Sequence, residues 1–302
     1  MSYRGRFAPS PTGPLHFGSL VAAVGSWLRA RACAGAWVVR MEDIDPPREV
    51  PGAARDIVET LAAFGLESDE PVLHQSTRSD AYATAFEALR NAGQIFPCWC
   101  SRSDLEASGG IHFSPCRAPP DPTRAPAWRL RVPQAIVAFD DLLLGPQQQE
   151  LQAAVGDFVI KRVEGWFAYQ LAVVVDDAAQ RISEVVRGAD LLDSTPRQIH
   201  LQRLLGCPTP AYAHLPLALD ADGRKLSKQD RAHPIDRADP LPALRAALRF
   251  LGLGEHRAGS VPLLLQDALR GFDLARIKKY AAQASHETVD ASSRLCTIAA
   301  RS

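Results

Sequence analysis

A stiff turn between a short strand and a helix, near the start of the chain, constrains the fold most. The predicted strand covers residues 6–8, and the turn at 9–14 holds three prolines and one glycine. Apolar residues at helical spacing then predict a helix over residues 18–34. Gly18 opens this helix and lets a ligand approach its free N–H groups and positive dipole end. His16 can donate a hydrogen bond there, so the turn predicts a phosphate site, although an isolated His-x-Gly pair is more often an ordinary turn.

Strand and helix patterns alternate along most of the remaining chain. The other predicted elements are strands at 38–41 and 171–175, helices ending near Gly65 and Gly93, and helices at 195–205, 242–251 and 274–284. This alternation predicts an α/β fold, a Rossmann-type doubly wound parallel sheet that binds ligands outside the carboxyl ends of its strands. The expected parts are a first half of the core at 1–96, an insertion at 97–165, a second half at 166–212, and a basic loop with a small helical region at 213–302.

The predicted insertion carries a candidate metal site. Three thiols and one imidazole can build a tetrahedral zinc site, and the residues in question are Cys98, Cys100, His112 and Cys116. We expect one structural Zn²⁺ per chain. Two alternatives remain open, because the three cysteines can also be unrelated thiols, and Asp104 or a water can replace His112 as the fourth ligand. The other cysteines lie in unrelated contexts.

The overall charge excludes a generally basic nucleic-acid-binding protein. The 302 residues include 34 basic and 34 acidic side chains, so the net charge is zero and any RNA contact needs local basic patches. No apolar stretch is long enough for a transmembrane helix or typical of a signal peptide. We therefore expect a cytoplasmic protein whose cysteines are reduced.

A second basic motif lies late in the chain. Lys225 and Lys228 flank Leu226 and Ser227, with Gln229 directly after them. The two ammonium groups can offset the charge that develops on a triphosphate as it breaks. Considered alone, the segment is more often a solvated basic loop.

Together, the two motifs resemble class I aminoacyl-tRNA synthetases. The segment 16–19 is similar to the HIGH signature, and 225–229 is similar to the KMSKS signature. The segments 6–13, 40–45 and 184–190 resemble the glutamyl branch in particular. The resemblance runs from residue 6 to about 284 and implies a class I catalytic core. It implies ATP binding, with Mg²⁺, by Pro9, His16, Gly18, Ser19, Lys225, Leu226, Ser227, Lys228 and Gln229. His16 and Lys228 are the implied catalytic residues, and Ser19 departs from the histidine that ends the HIGH signature.

Recognition of L-glutamate needs cations for a carboxylate and an acidic group for the ammonium. Arg6 and Arg187 can form forked contacts with carboxylates, Glu42 can hold the ammonium, and Tyr169 and Ser10 can donate hydrogen bonds. Each of these, considered alone, can equally be a structural or surface group. The resemblance implies a glutamate pocket formed by Arg6, Phe7, Ala8, Pro9, Ser10, Glu42, Tyr169 and Arg187.

The short stretch of chain after the second motif predicts which RNA accepts the glutamyl group. Only 73 residues follow Gln229, enough for a small helical region and too few for the anticodon-binding domain of an ordinary glutamyl-tRNA synthetase. The segment 42–53 also resembles the truncated paralogues that attach glutamate to queuosine in the anticodon of tRNA(Asp). The expected partners are ATP, L-glutamate and queuosine-containing tRNA(Asp), bound by a monomer. Candidate phosphate contacts are Arg197, Arg203, Arg231, Lys278 and Lys279. The alternatives are a shortened synthetase that charges tRNA(Glu), and a non-catalytic paralogue that binds nucleotide or RNA.

Overall fold

A computed structural model describes residues 2–217 and 234–277. Its ten strands within those ranges are β1 (Arg4–Phe7), β2 (Ala36–Met41), β3 (Leu73–His74), β4 (Ile95–Cys98), β5 (Ala127–Leu130), β6 (Ile136–Asp141), β7 (Gly145–Glu150), β8 (Val159–Lys161), β9 (Glu184–Gly188) and β10 (Ala211–Leu215). Its α-helices there are α1 (Phe17–Ala32), α2 (Ala53–Ala63), α3 (Ser79–Asn91), α4 (Leu151–Ala154), α5 (Tyr169–Ala179), α6 (Thr195–Leu205), α7 (Pro240–Phe250) and α8 (Val261–Arg270).

Two parallel sheets meet beside the start of the chain. Strand β2 lies between β1 and β3, and β10 lies between β9 and β6, with all of these pairs parallel. The Arg4 carbonyl accepts a hydrogen bond from the Ser183 N–H at 3.0 Å, which joins β1 to the segment just before β9. The prediction of an α/β fold with a parallel sheet is confirmed, and β1 and β9 are the edge strands at which the two sheets meet.

The segment predicted as an insertion contributes to two different sheets. Strand β5 pairs antiparallel with β4 and β8 in a small separate sheet. Strands β6 and β7 form an antiparallel hairpin, and β6 joins the main sheet through Asp141, which pairs with Tyr212 of β10. This part of the chain therefore extends the core as well as carrying the cysteines.

Helix α1 packs closely on the central strands because its apolar residues face them. Leu20, Val24 and Leu28 are fully buried in one cluster with Leu215 of β10. A Cβ on Gly25 would lie 2.7 Å from a Leu215 methyl group, so glycine is what allows this close approach. This packing fixes the first turn of α1 at the edge where the candidate site lies.

The strand predicted at 171–175 is wrong, because these residues form the middle of helix α5. A short run rich in valine fits either a strand or a buried helix, and periodicity alone does not separate them. Helix α5 buries residues around most of its circumference, including Asp176 and Asp177. The two carboxylates therefore accept hydrogen bonds from buried polar side chains and do not mark the end of a strand.

Helices α1, α2, α3, α6 and α7 agree with the predictions to within a few residues, and α4 was not predicted. Gly65, in the left-handed conformation, follows Phe64 at the end of α2, as expected for a C-terminal stop. Helix α8 was not predicted. The predicted helix at 274–284 is described only at 274–277, where it is helical. Among the described helices, none combines the length and apolar character needed to cross a membrane.

Candidate active site

The carboxyl ends of β1, β2 and β9 and the start of α1 surround a cavity of about 180 Å³, here called the first cavity. The predicted site residues that line it are Arg6, Phe7, Ala8, His16, Gly18, Ser19, Glu42, Tyr169 and Arg187. It is also lined by Gly188, Asp190 and Leu217, for which sequence reasoning proposed no role. The residues proposed for phosphate and those proposed for glutamate thus share one space.

The start of α1 holds the predicted phosphate residues together. His16 is the N-cap of α1, and its Nδ1 accepts a hydrogen bond from the Ser19 N–H at 3.3 Å. The Ser19 hydroxyl lies 3.2 Å from His16 Nε2. A Cβ on Gly18 would lie 3.3 Å from the same ring, so glycine keeps this end of the helix open. Because Nδ1 is an acceptor, Nε2 carries the proton; its N–H faces the Ser19 hydroxyl here and can form a hydrogen bond to an anion instead when one binds.

Arg6 has part of its guanidinium available for a ligand. It is buried and donates to Asp177 from Nε at 3.2 Å and from Nη2 at 3.5 Å. Arg40, fully buried, donates to the same carboxylate at 2.8 Å. Burial tends to raise the pKa of Asp177, but the two guanidinium charges outweigh it and hold that pKa below its ordinary value. Asp177 thereby orients Arg6, and with respect to the described residues both Nη1 hydrogens and one Nη2 hydrogen are left for a forked contact.

Glu42 is the buried acid of the first cavity. Its backbone N–H donates to the Pro9 carbonyl at 2.9 Å, and its side chain is 8% exposed. The nearest guanidinium, that of Arg40, is 3.8 Å away, and Glu42 Oε1 has no hydrogen-bond partner among the described residues. Burial raises the pKa of Glu42 to about 7, although the charges of Arg40 and Arg6 oppose the shift. A buried carboxylate with an unpaired oxygen is suited to an ammonium group.

Arg187 is held by a network of buried side chains. It donates from Nε to His214 Nε2 at 3.2 Å, from Nη1 to Gln198 at 2.9 Å, and from Nη2 to Thr195 at 2.8 Å and to the Leu191 carbonyl at 3.3 Å. Four of its five N–H groups therefore have partners within the described part of the chain. The expected forked contact from Arg187 does not fit this arrangement, which leaves one Nη1 hydrogen for a ligand.

The network continues from His214 to Asp141. His214 Nδ1 lies 2.6 Å from Asp141 Oδ2, and both side chains are fully buried. Because Nε2 accepts from Arg187, Nδ1 carries the proton and donates to Asp141. Burial lowers the pKa of His214, and the Arg187 charge lowers it further against the opposing effect of Asp141, so the imidazole is neutral. Asp141 thus fixes the tautomer that lets His214 accept from Arg187.

Sequence reasoning assigned no role to Asp141, Asp177 or His214. The available signal was a polar residue within an apolar segment, as at His214 in β10, since buried polar groups need partners. Nothing in a single sequence shows which partner each one finds across more than seventy positions.

The other predicted residues lie beside the first cavity, elsewhere on the described chain, or outside it. Ser10 lines an adjoining second cavity of about 430 Å³, which shares Ala8, Glu42, Tyr169 and Leu191 with the first. Pro9 contributes its carbonyl to Glu42 and lines neither cavity. Tyr169 begins α5 between the two cavities, where burial and the nearby Glu42 raise its pKa. Outside the described residues lie Lys225, Leu226, Ser227, Lys228, Gln229, Arg231, Lys278 and Lys279. Of the other candidate phosphate contacts, Arg203 is exposed and Arg197 is partly buried.

The four predicted metal ligands come together at the end of β4 and in the segment that connects β4 to β5. One ligand atom from each of Cys98, Cys100, His112 and Cys116 lies within 4.8 Å of all the others. His112 Nδ1 is 3.0 Å from Asp157, and its buried Nε2 has no hydrogen-bond partner among the described residues. The Asp157 contact fixes the tautomer whose Nε2 lone pair faces a metal, an arrangement common among metal-binding histidines.

The thiols of this cluster also favour a cation. Arg129 Nε lies 3.3 Å from Cys98 Sγ. Burial tends to raise the pKa of Cys100, but the backbone N–H groups of Ala118 and Arg117 outweigh it and lower that pKa. Burial and the two neighbouring thiols raise the pKa of Cys116 to about 12. Ionisation of Cys116 beside the two other thiols therefore needs a cation to offset the charge. Three sulfurs and one imidazole form a ligand set that Zn²⁺ accepts.

Comparison with known proteins identifies the family. The chain matches the family model described as tRNA synthetases class I (E and Q), catalytic domain, over residues 2–115 and 116–261. It is 60% identical to the glutamyl-Q tRNA(Asp) synthetase of Xanthomonas oryzae over 277 residues, which are 90% of this chain and 91% of the relative. It is 56% identical to that of Xanthomonas campestris over 295 residues, which are 96% and 98% of the two chains. The chain belongs to the glutamyl-Q tRNA(Asp) synthetases. A third relative with that name, from Burkholderia cenocepacia, is 59% identical over 263 residues, 83% of this chain and 88% of the relative.

A solved structure agrees with the fold. The crystal structure of the glutamate-tRNA synthetase from Elizabethkingia anophelis superposes with a TM-score of 0.74 and 24% identity, covering 94% of this chain and 70% of that one. This likeness confirms the class I α/β architecture. The family membership rests on the family model and on the curated relatives.

Proposed function

We propose that this protein activates L-glutamate with ATP and transfers the glutamyl group to queuosine in the anticodon of tRNA(Asp). The observation that carries the proposal is the first cavity, which joins the phosphate residues at the start of α1 to the arginines and the acid that fit glutamate. The name shared by relatives at 56–60% identity supports the acceptor.

In this proposal glutamate lies among the charged groups of the first cavity. Arg6 contributes the fork for the side-chain carboxylate, and the remaining Nη1 hydrogen of Arg187 adds a single bond. Glu42 holds the ammonium through its unpaired Oε1. Tyr169 donates its hydroxyl hydrogen, which its raised pKa keeps in place. The combination selects an amino acid with two carboxylates, because each buried group would lose its partner with a neutral side chain.

The first chemical step is an in-line displacement at the α-phosphorus of ATP. An oxygen of the glutamate α-carboxylate forms a bond to this phosphorus, and the bond to the β-phosphate oxygen breaks, so pyrophosphate leaves with the electron pair. His16 Nε2–H and the N–H groups at the start of α1 stabilise the phosphate charge, and Mg²⁺ bound with ATP supplies further neutralisation. Lys228, outside the described residues, is proposed to act on the leaving pyrophosphate.

The second step makes an ester. A hydroxyl of the queuosine cyclopentene ring attacks the glutamyl carbonyl carbon, the anhydride bond to AMP breaks, and the hydroxyl proton passes to the departing AMP or to water. Neither step needs a nucleophile from the protein, so positioning and electrostatic stabilisation supply the rate enhancement.

The cysteine cluster is proposed to bind one structural Zn²⁺. Cys98, Cys100, His112 and Cys116 would hold the ion, and Asp157 would orient the imidazole. Such an ion would fix the loop between β4 and β5, where irregular chain has few apolar contacts of its own.

Three RNAs test the function with labelled glutamate and ATP. We expect transfer to tRNA(Asp) that carries queuosine, and none to tRNA(Asp) from cells unable to make queuosine or to tRNA(Glu). Periodate is unsuitable as a control because it also cleaves the queuosine diol. Charging of tRNA(Glu) would support a shortened glutamyl-tRNA synthetase instead. Absence of glutamate-dependent pyrophosphate exchange would indicate a non-catalytic paralogue.

A further inference from the structure

The second cavity lies on the opposite side of the glutamate pocket from the phosphate residues. His16, Ser19 and Gly188 line only the first cavity, whereas Ser10, Thr12, Asp45, Arg48, Glu49, Arg162 and Phe167 line only the second. The shared wall consists of Ala8, Glu42, Tyr169 and Leu191. With ATP at the start of α1, the second cavity is the side from which another molecule can reach a glutamate held at this wall.

Glu49 is an acid of the second cavity that forms no ion pair with any of the described residues. Its Oε1 is buried and has no hydrogen-bond partner among the described residues. Its backbone position is fixed, because its own N–H donates to the Pro46 carbonyl at 3.2 Å and the N–H of Val50 donates to the Pro11 carbonyl at 2.9 Å. Burial, with the charges of Asp43 and Asp45, raises the pKa of Glu49. A cationic hydrogen-bond donor would satisfy the oxygen and relieve this repulsion.

The neighbouring acid differs because its charge is already compensated. Asp45 accepts from Arg48 Nε at 2.5 Å and from Arg162 Nη1 at 3.1 Å. The two arginines remain partly exposed at the rim, with side-chain exposures of 74% and 41%. They can contact RNA phosphates without leaving Asp45, since each keeps further N–H groups. The cavity therefore combines a cationic rim, the carboxylate of Glu49 beyond the shared wall that holds Glu42, and the ring of Phe167.

We propose that the second cavity binds the modified base of the acceptor, with Glu49 pairing to the protonated secondary amine that links the cyclopentenediol to the base. The inference rests on the proposed function and adds the residue that selects the acceptor. An unmodified nucleoside at the end of a tRNA carries no such cation, so it would leave Glu49 unpaired. Phe167 offers a surface for base stacking, and the diol then lies toward the wall formed by Glu42 and Tyr169.

Glu49→Gln tests the pairing, and Glu87→Gln on α3, a partly exposed glutamate that pairs with Arg90 and lines neither cavity, is the control. We expect Glu49→Gln to lower kcat/KM for queuosine-containing tRNA(Asp) about tenfold or more, the scale of one hydrogen bond between charged groups. Glutamate-dependent pyrophosphate exchange without RNA should stay within about twofold of wild type. The direction of the change in kcat/KM is informative, because removing a negative charge near a polyanion should otherwise strengthen RNA binding. Glu49→Asp keeps the charge and should retain more transfer than Glu49→Gln.

Three outcomes overturn different parts of the argument. If wild-type protein glutamylates queuosine-containing tRNA(Asp) and Glu49→Gln does so equally well, the acceptor site is wrong while the proposed function stands. If both variants at Glu49 lose pyrophosphate exchange as strongly as transfer, Glu49 serves the glutamate pocket and the inference is also wrong. Failure of the wild-type protein to use queuosine-containing RNA would overturn the function itself.

Discussion

Replacing Asp141 with asparagine should weaken glutamate binding although Asp141 lines neither cavity. Asp141 Oδ1 accepts from the N–H groups of Leu143 and Leu144 at 2.9 Å each, a role that the amide oxygen of asparagine can keep. The amide nitrogen then replaces Oδ2 beside His214 Nδ1, where the present distance is 2.6 Å. Because that nitrogen is a donor, His214 must accept at Nδ1 and carry its proton on Nε2. This proton would point at the Nε–H of Arg187, 3.2 Å away.

The expected size of the effect follows from the groups that lose their partners. One hydrogen bond to a charged group contributes about 2 kcal/mol, which corresponds to about thirtyfold in an equilibrium constant. Thr195 Oγ1, 3.1 Å from His214 Nε2, can accept this proton, but the Nε–H of Arg187 then loses its acceptor and the guanidinium shifts away from His214. That shift moves the Nη1 hydrogen proposed for glutamate. We therefore expect Asp141→Asn to raise KM for glutamate by about ten- to thirtyfold in pyrophosphate exchange, with little change in KM for ATP.

Asp140→Asn is the matched control, because Asp140 is the exposed neighbour on the same strand. It should leave both KM values unchanged. A thermal unfolding curve of each variant separates loss of fold from loss of binding, since the buried pair also contributes to stability. The positioning role is refuted if Asp141→Asn lowers the melting temperature and leaves KM for glutamate at the wild-type value. Equal increases in KM for glutamate and ATP would indicate a general disturbance of the sheet instead.

Three further outcomes are expected. For glutamate in the exchange reaction, kcat/KM should rise with pH through about 7 and then level off, because Glu42 holds an ammonium only when ionised; a flat profile from about pH 6 to 8 would contradict this role. Elemental analysis should find about one zinc per chain, lost in Cys116→Ser and kept in Cys207→Ser, whose thiol lies outside the cluster; metal-free protein of full activity would exclude the site. Lys228→Ala should slow exchange about a hundredfold, and a folded variant with near-normal exchange would reject its role.

The fold was predictable where local signals were strong. The turn before α1 and the glycine after α2 identify both helices, because capping and conformational limits act within a few residues. The apolar run at 171–175 was misassigned because it fits two environments equally well, and burial by several neighbours selects the helix. Strand β6 shows a different limit, since its pairing with β10 joins positions 141 and 212 and no local pattern reports it.

The sequence predicted which residues form the candidate site. It did not predict which of their N–H groups are available to a ligand. The resemblance to the glutamyl branch implied Arg6, Glu42 and Arg187, and the structure brings all three to one cavity. The sequence does not show that four N–H groups of Arg187 donate to described protein groups, whereas only two of Arg6 do. Availability depends on the buried acids behind each arginine, Asp177 in one case and Asp141 through His214 in the other.

These buried partners explain how three distant stretches of chain can define one substrate. Arg6 lies on β1, Arg187 on β9, and the acid that fixes Arg187 comes from β6 within the segment predicted as an insertion. Groups inside the sheet orient each arginine before glutamate binds. Binding therefore carries a smaller entropic cost for ordering these side chains. The acceptor, by contrast, would meet partly exposed arginines and an unpaired acid on the other side of the Glu42 wall. We infer that selection of the amino acid is built into the core, whereas selection of the acceptor depends on side chains that complete their contacts only when RNA arrives.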